Sequence, residues 1–347
     1  MASCQGFRLH HALPAGCAVC GHKDDLLICS GCKALPYCGR DCQIADRPAH
    51  KAACSAIRKA RNVMEHEEQK LRDHPGDVMM SKDPFTSCVG HFWGVFETRD
   101  YMRARYRLVR NMESVDHVVS VTARLDHCMD LLRLCRGDNM GVRSLVPGLL
   151  IRLQRDQDSY DFIKWWANTL ENSNFDWGDT SLPYLDVKDA DMFESVERFC
   201  HSFFDLSHRT CVCLLKIRLL LELVRLEQST DSLGPSPHPV ISAMLKSPNP
   251  ISSAVGASQA IMSSDSNARK AMIDTLKQQI DALYEAVQKA NEHFWHNLTD
   301  PDVDLDNMPS SYTRGSVEES QLTVGDNFFA WVETPGALAF IVTKFYG

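Results

Sequence analysis

No stretch of this 347-residue chain reaches the roughly eighteen uninterrupted apolar residues that a membrane-crossing helix needs. The best apolar run, Cys211 to Val224, is broken by Lys216, Arg218 and Glu222, so a membrane span is excluded. Met1 to Pro14 has neither an apolar core of signal-peptide length nor a small-residue cleavage pattern, which predicts an intracellular chain in a reducing compartment. A phosphate-cradling Gly-rich loop with lysine is missing, as are a Gly-x-Ser-x-Gly elbow and a His-Glu-x-x-His pair, so the common signatures of nucleotide, acyl and zinc-peptidase chemistry are absent. Charge is close to balanced, with 24% charged residues and a formal net charge of -8, and there is no large basic excess of the kind phosphate backbones attract.

Cysteine is what the chain has in quantity. Seven of its fourteen cysteines and one histidine crowd into the stretch Cys17-x2-Cys20-x8-Cys29-x2-Cys32-x5-Cys38-x3-Cys42-x7-His50-x3-Cys54. A disulfide framework suits small secreted domains rather than one end of a long intracellular chain, so these residues read as metal ligands. Two-residue gaps let a tight turn aim both sulfurs at one ion, and Cys17/Cys20 and Cys29/Cys32 are two such knuckles. Cys38/Cys42 and His50/Cys54 are each four apart, which predicts one helix face for each pair. Asp41 and Asp46 read as N-caps, with Pro48 in the first turn of the helix that carries His50 and Cys54. Eight ligands make two closed four-coordinate zinc sites with no open position for water, and closed sites are structural rather than catalytic. Spacing leaves open which ligands share a metal. The segment has few core candidates, namely Leu26, Leu27, Ile28, Leu35, Tyr37 and Ile44, so zinc must supply much of its folding energy. His22, two after Cys20, reads as an exposed knuckle residue rather than a ligand.

The spacing, the run Tyr37-Cys38-Gly-Arg-Asp-Cys42-Gln43 and the ending His50-Lys51-Ala-Ala-Cys54 resemble a MYND-type zinc finger at all eight ligand positions. The resemblance implies a cross-braced arrangement, with Cys17, Cys20, Cys38 and Cys42 on one Zn2+ and Cys29, Cys32, His50 and Cys54 on the other. It also implies a protein-interaction module for short proline- and leucine-containing segments, with Gln43 beside the peptide groove. Arg47 departs from the family, which commonly has tryptophan there, so the usual anchor of peptide preference is replaced. Some MYND fingers are embedded in SET-domain lysine methyltransferases. The Gly-x-Gly, Asn-His-x-Cys-x-Pro-Asn and Gly-Glu-Glu segments of those enzymes are missing, and no enzyme activity is expected.

From Cys17 to Cys54 five basic residues face four acidic ones; seven thiolates against two dications then bring the metallated finger to about -2, which disfavours direct nucleic-acid binding. The following Arg58-Lys59-Ala60-Arg61 run reads as a solvated helix face. The remaining cysteines (Cys4, Cys88, Cys128, Cys135, Cys200, Cys211, Cys213) are scattered through apolar patterns and read as small buried hydrophobes.

Behind the finger a polar helix runs to Asp73 and stops at His74-Pro75-Gly76. Helices are predicted near Phe96–Met112, Val115–Cys135, Met140–Leu153, Asp158–Leu170, Thr210–Glu227, Val240–Leu245 and Asn267–Asn297. Phe162, Trp165 and Trp166 form a core stripe. His201 and His208 are expected to be core or surface histidines rather than a site, and the acids from Asp300 to Asp306 a solvated loop rather than a calcium site. The finger-first layout, the Asp138–Arg143 turn and the tail resemble fungal MYND-containing proteins.

The expected protein is mainly α, an N-terminal two-zinc finger followed by a helical, repeat-like (TPR-like) domain, acting as an interaction adaptor in cytoplasm or nucleus. Its expected segments are a tail (1–13), the finger (14–56), a helical domain (57–227), a Ser/Pro-rich linker (228–265), and a long helix with a tail that packs back on the helical domain (266–347).

Overall fold

The computed structural model describes residues 13–78, 80–170, 172, 174–229, 251–300, 305 and 308–346. They are mainly helical and fall into two compact units. One is Leu13–Leu149 with Asn174–Tyr184; the other is Leu150–Ser173 with Leu185–Gly347. Among the described residues no single helix is long and apolar enough to cross a membrane.

The first unit begins with the finger. Its two-residue strands β1 (Leu27–Ile28) and β2 (Pro36–Tyr37) pair antiparallel, Leu27 opposite Tyr37 and Ile28 opposite Pro36. Helix α1 (Arg40–Asp73) then runs unbroken for 34 residues, through position 57, and carries Pro48 inside it. The separate helix expected to open at Asp46, with Pro48 in its first turn, is instead part of α1: Pro48 costs the helix one hydrogen bond and crowds the carbonyl four residues before it, and packing on both sides holds the helix across it. Past the finger, α1 buries Ile57, Ala60, Met64 and Leu71 at helical spacing. Against it packs α2 (Arg99–Asn111), which buries Tyr101, Met102, Ala104, Leu108 and Val109. Phe85, Phe92 and Tyr101 form a ring cluster with centroids 5.2 to 6.1 Å apart, and Arg72 of α1 lies 4.6 Å over Phe85.

Helix α3 (Val118–Leu134) starts where the His117 side chain accepts a hydrogen bond from Val119 N. After it, Asp138 accepts from Val142 N (2.8 Å) and Arg143 N (2.9 Å), with Gly141 in the left-handed region at φ 71°. That turn delays the expected Met140–Leu153 helix, leaving a single 3-10 turn and then α4 (Val146–Arg152). Arg136 gathers residues 174–184 into this unit: its guanidinium donates to the carbonyls of Asp179 and Leu182 and sits 4.5 Å over the Tyr184 ring. Tyr184 in turn donates to Leu132 O at 3.2 Å.

The second unit is built around α6 (Leu206–Ser229), which is preceded by α5 (Asp156–Leu170). Cys211 to Leu215, Ile217, Leu219 to Leu221 and Leu223 are all buried, so α6 is apolar around its whole circumference and sits inside the core. Phe162, Trp165 and Trp166 of α5 are buried as the apolar stripe predicts. The charged residues that interrupt α6 are tied to segments around it. Arg218 pairs with Asp156 at 3.0 Å and donates to Gln154 Oε1 and Thr334 Oγ1, each at 2.9 Å. Lys216 donates to Met192 O, and burial pushes its amine down to about 7 despite the nearby Glu194. Glu222 accepts from Ile251 N at 2.8 Å.

Packed on α6 is α7 (Ser266–Ala290), which the chain leaves at Asn291 before α8 (Phe294–Thr299); the expected continuous helix to Asn297 is therefore broken. Asn291 is buried and donates to Ser316 O at 2.9 Å, which turns the chain out of the helix. The end of the expected linker is structured: Ser253–Ala257 and Gln259–Met262 are helical turns, and Ile251, Val255 and Ile261 enter the core. Two further helices, α9 (Val317–Val332) and α10 (Ala337–Phe345), bend by 111° at their junction and bury Val324, Trp331, Ala337 and Ile341. His208 is buried and His201 exposed. The expected helix Val240–Leu245 and most of the Asp300–Asp306 stretch lie outside the described residues.

Replacing Asp156 by alanine leaves the buried Arg218 guanidinium without its carboxylate, and is expected to destabilise the protein by about 3–5 kcal/mol in urea unfolding followed by circular dichroism.

Candidate metal centre

The first knuckle is shaped by its backbone. Cys17 N donates to His22 O (2.6 Å) and Gly21 N to Cys17 O (2.9 Å), which curls residues 17–22 into a loop that brings both sulfurs to one site. Gly16, at φ +85°, lies so close to this loop that a Cβ would sit 2.7 Å from the carbonyl oxygens of Gly21 and His22. His22 is exposed and serves through its carbonyl rather than its ring. The second knuckle closes with Lys33 N donating to Cys29 O at 2.8 Å. There a Cβ on Gly31 would sit 2.8 Å from Cys54 Sγ, so the glycine makes room for a ligand arriving from α1.

The other four ligands come from the chain that returns. Cys38 follows β2 directly and precedes α1, whose N-cap is Gly39 without a side-chain cap. The pair Cys38/Cys42 therefore does not share a helix face as its spacing predicts; the turn at Gly39 brings the two together. Asp41 lies in the first turn of α1 and is not its cap. Asp46 is not a cap either. It sits within α1 and accepts from Tyr37 Oη at 2.7 Å, joining the hairpin to the helix, and burial with this carboxylate pushes the phenol well above its usual range. His50 and Cys54, one helical turn apart on α1, point inward, with the His50 ring edge-on to Tyr37 at 6.3 Å.

These elements gather the eight residues into two sets, Cys17, Cys20, Cys38, Cys42 and Cys29, Cys32, His50, Cys54, with the ligand atoms of each set within 4.8 Å of one another. A tetrahedron with Zn–S bonds of about 2.3 Å has S···S edges of about 3.8 Å, and about 3.6 Å where one donor is a histidine nitrogen. The structure has Cys20–Cys38 at 3.5 Å, Cys38–Cys42 at 3.6 Å, Cys42–Cys20 at 3.9 Å, Cys29–Cys54 at 3.8 Å and Cys32 Sγ to His50 Nε2 at 3.3 Å. Both cages therefore fit a zinc ion each, as structural sites with four protein donors.

Charge makes the same case. In the first set burial opposes ionisation of Cys17, yet the backbone N–H groups of Cys20, Val19 and Cys38 lower its thiol to about 6. Its neighbours then resist: Cys42 is raised to about 12, first by Cys38 and then by Cys17. In the second set Cys29 falls to about 6 against burial, whereas burial and the Cys29 charge raise Cys32 to about 12. One thiolate per cage forms readily, whereas Cys38 and Cys42 in the first and Cys32 and Cys54 in the second resist ionisation unless a dication supplies the compensating charge.

Three of the six expected core residues of the finger are in fact on its surface. Leu35 and Tyr37 are buried and Leu26 is partly buried, but Leu27 (67% exposed), Ile28 (45%) and Ile44 (57%) face outward. Gln43 and Arg47 are also exposed, on the same stretch of α1 as Ile44. The finger is braced within its unit from three directions. His117 Nε2 meets Gly16 O at 2.9 Å, Val118 N donates to Pro14 O at 2.9 Å, and Arg61 of α1 donates to Cys32 O at 3.1 Å.

Metal and finger structure are expected to be lost together. A strong chelator should release two zinc ions per chain and abolish the tertiary signals of residues 14–54, with an apparent binding energy of about 10–16 kcal/mol per site; a metal-free protein with an intact finger would contradict this. Gly31→Ala crowds Cys54 alone, and is expected to speed release from the second cage and spare the first, as read by chelator competition kinetics.

The MYND finger family model matches residues 17–54. Over 55 residues the chain is 40% identical to Dauer abnormal formation protein 25 of Caenorhabditis elegans, a match that covers 16% of this chain and only 14% of that protein. No solved structure matches the chain. MYND fingers are in general protein-interaction domains. With its two Cys/His cages and a helical region behind them, this chain carries a MYND-type zinc finger at residues 17–54.

Proposed function

We propose that the protein is a non-catalytic adaptor whose finger captures short segments of partner proteins, with Cys17, Cys20, Cys38, Cys42 and Cys29, Cys32, His50, Cys54 as the ligands of two structural zincs. The observation that carries this reading is the exposure of Leu27, Ile28 and Ile44 on a module with little apolar surface to spare. The hairpin adds backbone groups. One side of β2 pairs with β1 and its Pro36 carbonyl accepts from Ala18 N at 3.0 Å, so among the described residues β1 is the strand whose outer edge is open to an extended peptide. Gln43 and Arg47 flank Ile44 and supply polar contacts beside such a ligand.

Closed coordination supports a metal without a catalytic role, since four protein donors leave no place for an activated water. In the second unit, a cavity of about 320 Å³ is lined by Lys164, Asn168, Glu194, Glu197 and Arg198, where Lys164 pairs with Glu194 at 2.8 Å and Arg198 donates to Asn168. The substrate of an adaptor is a binding partner, and proline- and leucine-containing segments are the first class to test.

An affinity pulldown with the full-length protein separates the surfaces. Cys29→Ser, which opens one cage, and Ile44→Asp, which leaves both cages complete, are each expected to lose the same partners by about tenfold or more in recovery. Partners that survive both substitutions would belong to the helical region and overturn the finger as the docking surface.

A further inference from the structure

The outward face of α1 carries a row of cations that, apart from Arg58 beside Cys54, the zinc cages do not use. Arg40, Arg47, Lys51 and Arg58 are all exposed, and their spacings of seven, four and seven keep them on one line along the helix. With 3.6 residues per turn the four lie within roughly 20° of that line, and Ile44 stands beside it between the first two. Between Arg40 and Arg58 this face has no carboxylate. Asp46 lies on the opposite side, where it accepts from Tyr37, and Asp41 is about a quarter turn away. None of the four cations pairs with a carboxylate among the described residues, and only Arg58, at the end of the line, also faces a zinc ligand, Cys54. The last turns of the same helix behave differently: Lys70 pairs with Glu67 at 2.8 Å and Arg72 with Glu68 at 2.6 Å. Like charges stacked at i, i+4 and i, i+7 repel one another, and a helix selected for solubility alone alternates its signs, as α1 does beyond residue 65. The stripe is also local, on a chain whose formal net charge is -8.

We propose that this stripe binds the acidic part of a partner segment that is anchored on Ile44: the ligand of the finger is an extended peptide in which carboxylates flank an apolar residue. This rests on the reading of the finger as a peptide-docking surface and adds the charge class of what docks. From Arg40 to Arg58 the line is about 27 Å long at 1.5 Å per residue, the span of about eight residues of extended peptide. Arg40 and Arg47 are about 10 Å apart along the axis, so carboxylates about three residues apart reach both while the side chain between them covers Ile44. Arg47 then has a role of its own, supplying a fork for a carboxylate where related fingers commonly carry a flat ring. A nucleic acid suits the surface less well, because an aliphatic side chain within the stripe offers nothing to phosphate and the metallated finger as a whole is slightly negative.

Selection of a phage-displayed random peptide library on the full-length, zinc-loaded protein tests this. The expected yield is peptides with acidic residues on both sides of an apolar one. A synthetic peptide of that composition is expected to bind more weakly as salt rises, and at least about tenfold more weakly to the Arg47→Glu/Lys51→Glu variant with two zincs still bound. The same variant should select basic flanks instead. Enriched peptides without acidic excess, or unchanged affinity in the variant, would overturn the charge assignment and leave the docking surface standing. Failure to enrich any peptide that Ile44→Asp then loses would overturn the docking surface itself. Tighter binding of a 20-base-pair duplex than of the acidic peptide would give the stripe to nucleic acid and also sink the proposal.

Discussion

Seven sulfurs and one imidazole nitrogen are packed into two cages less than 4.8 Å across, and the first thiolate in each raises the cost of the next. A dication removes that repulsion, and with it the main obstacle to bringing the chain back on itself. The return strand and helix α1 are positioned by this requirement, since Cys38, Cys42, His50 and Cys54 must meet the two knuckles. Because α1 continues without a break to Asp73, the same metals that close the finger also aim the helix on which α2 packs. The finger is thus the first part of a larger unit, fastened by His117, Val118 and Arg61, rather than a bead on a tether.

The second unit is organised by burial instead of metal. Helix α6 is apolar on every side, yet it carries Lys216, Arg218 and Glu222, and those charges reach Met192, Asp156 and Ile251 on three separate segments. Apolar contacts give such a core its stability but little positional information, whereas each buried charge accepts only one arrangement of partners. Lengths that apolar periodicity alone leaves loose, such as the stretch before α7, are fixed where a polar group must be satisfied.

The ligand residues and the helical class were legible because both depend on short-range regularity: cysteine gaps of two and three, and apolar repeats near 3.6. The partition of ligands was not legible from spacing, since it depends on where β2 and α1 return. Pro48 read as a helix start because its local preference is strong, but the packing of Ile57 to Leu71 and the bond from Tyr37 to Asp46 extend one helix across it. Leu27, Ile28 and Ile44 read as core because they are apolar; metal closure frees them from that duty, and only the structure reveals their exposure. Arg136 and its hold on residues 174–184 left no periodic trace, because a guanidinium that binds backbone carbonyls can reach any segment.

The contact between His117 and Gly16 spans 101 positions. All eight zinc ligands precede residue 55, so during synthesis the cages can close before His117 is free to join them. Metal capture therefore belongs to an early, local stage of folding, and the brace to a late one that joins distant parts of the chain. A nascent chain starved of zinc would present seven reduced thiols for the whole of that interval, with disulfide exchange and oxidation open to each of them.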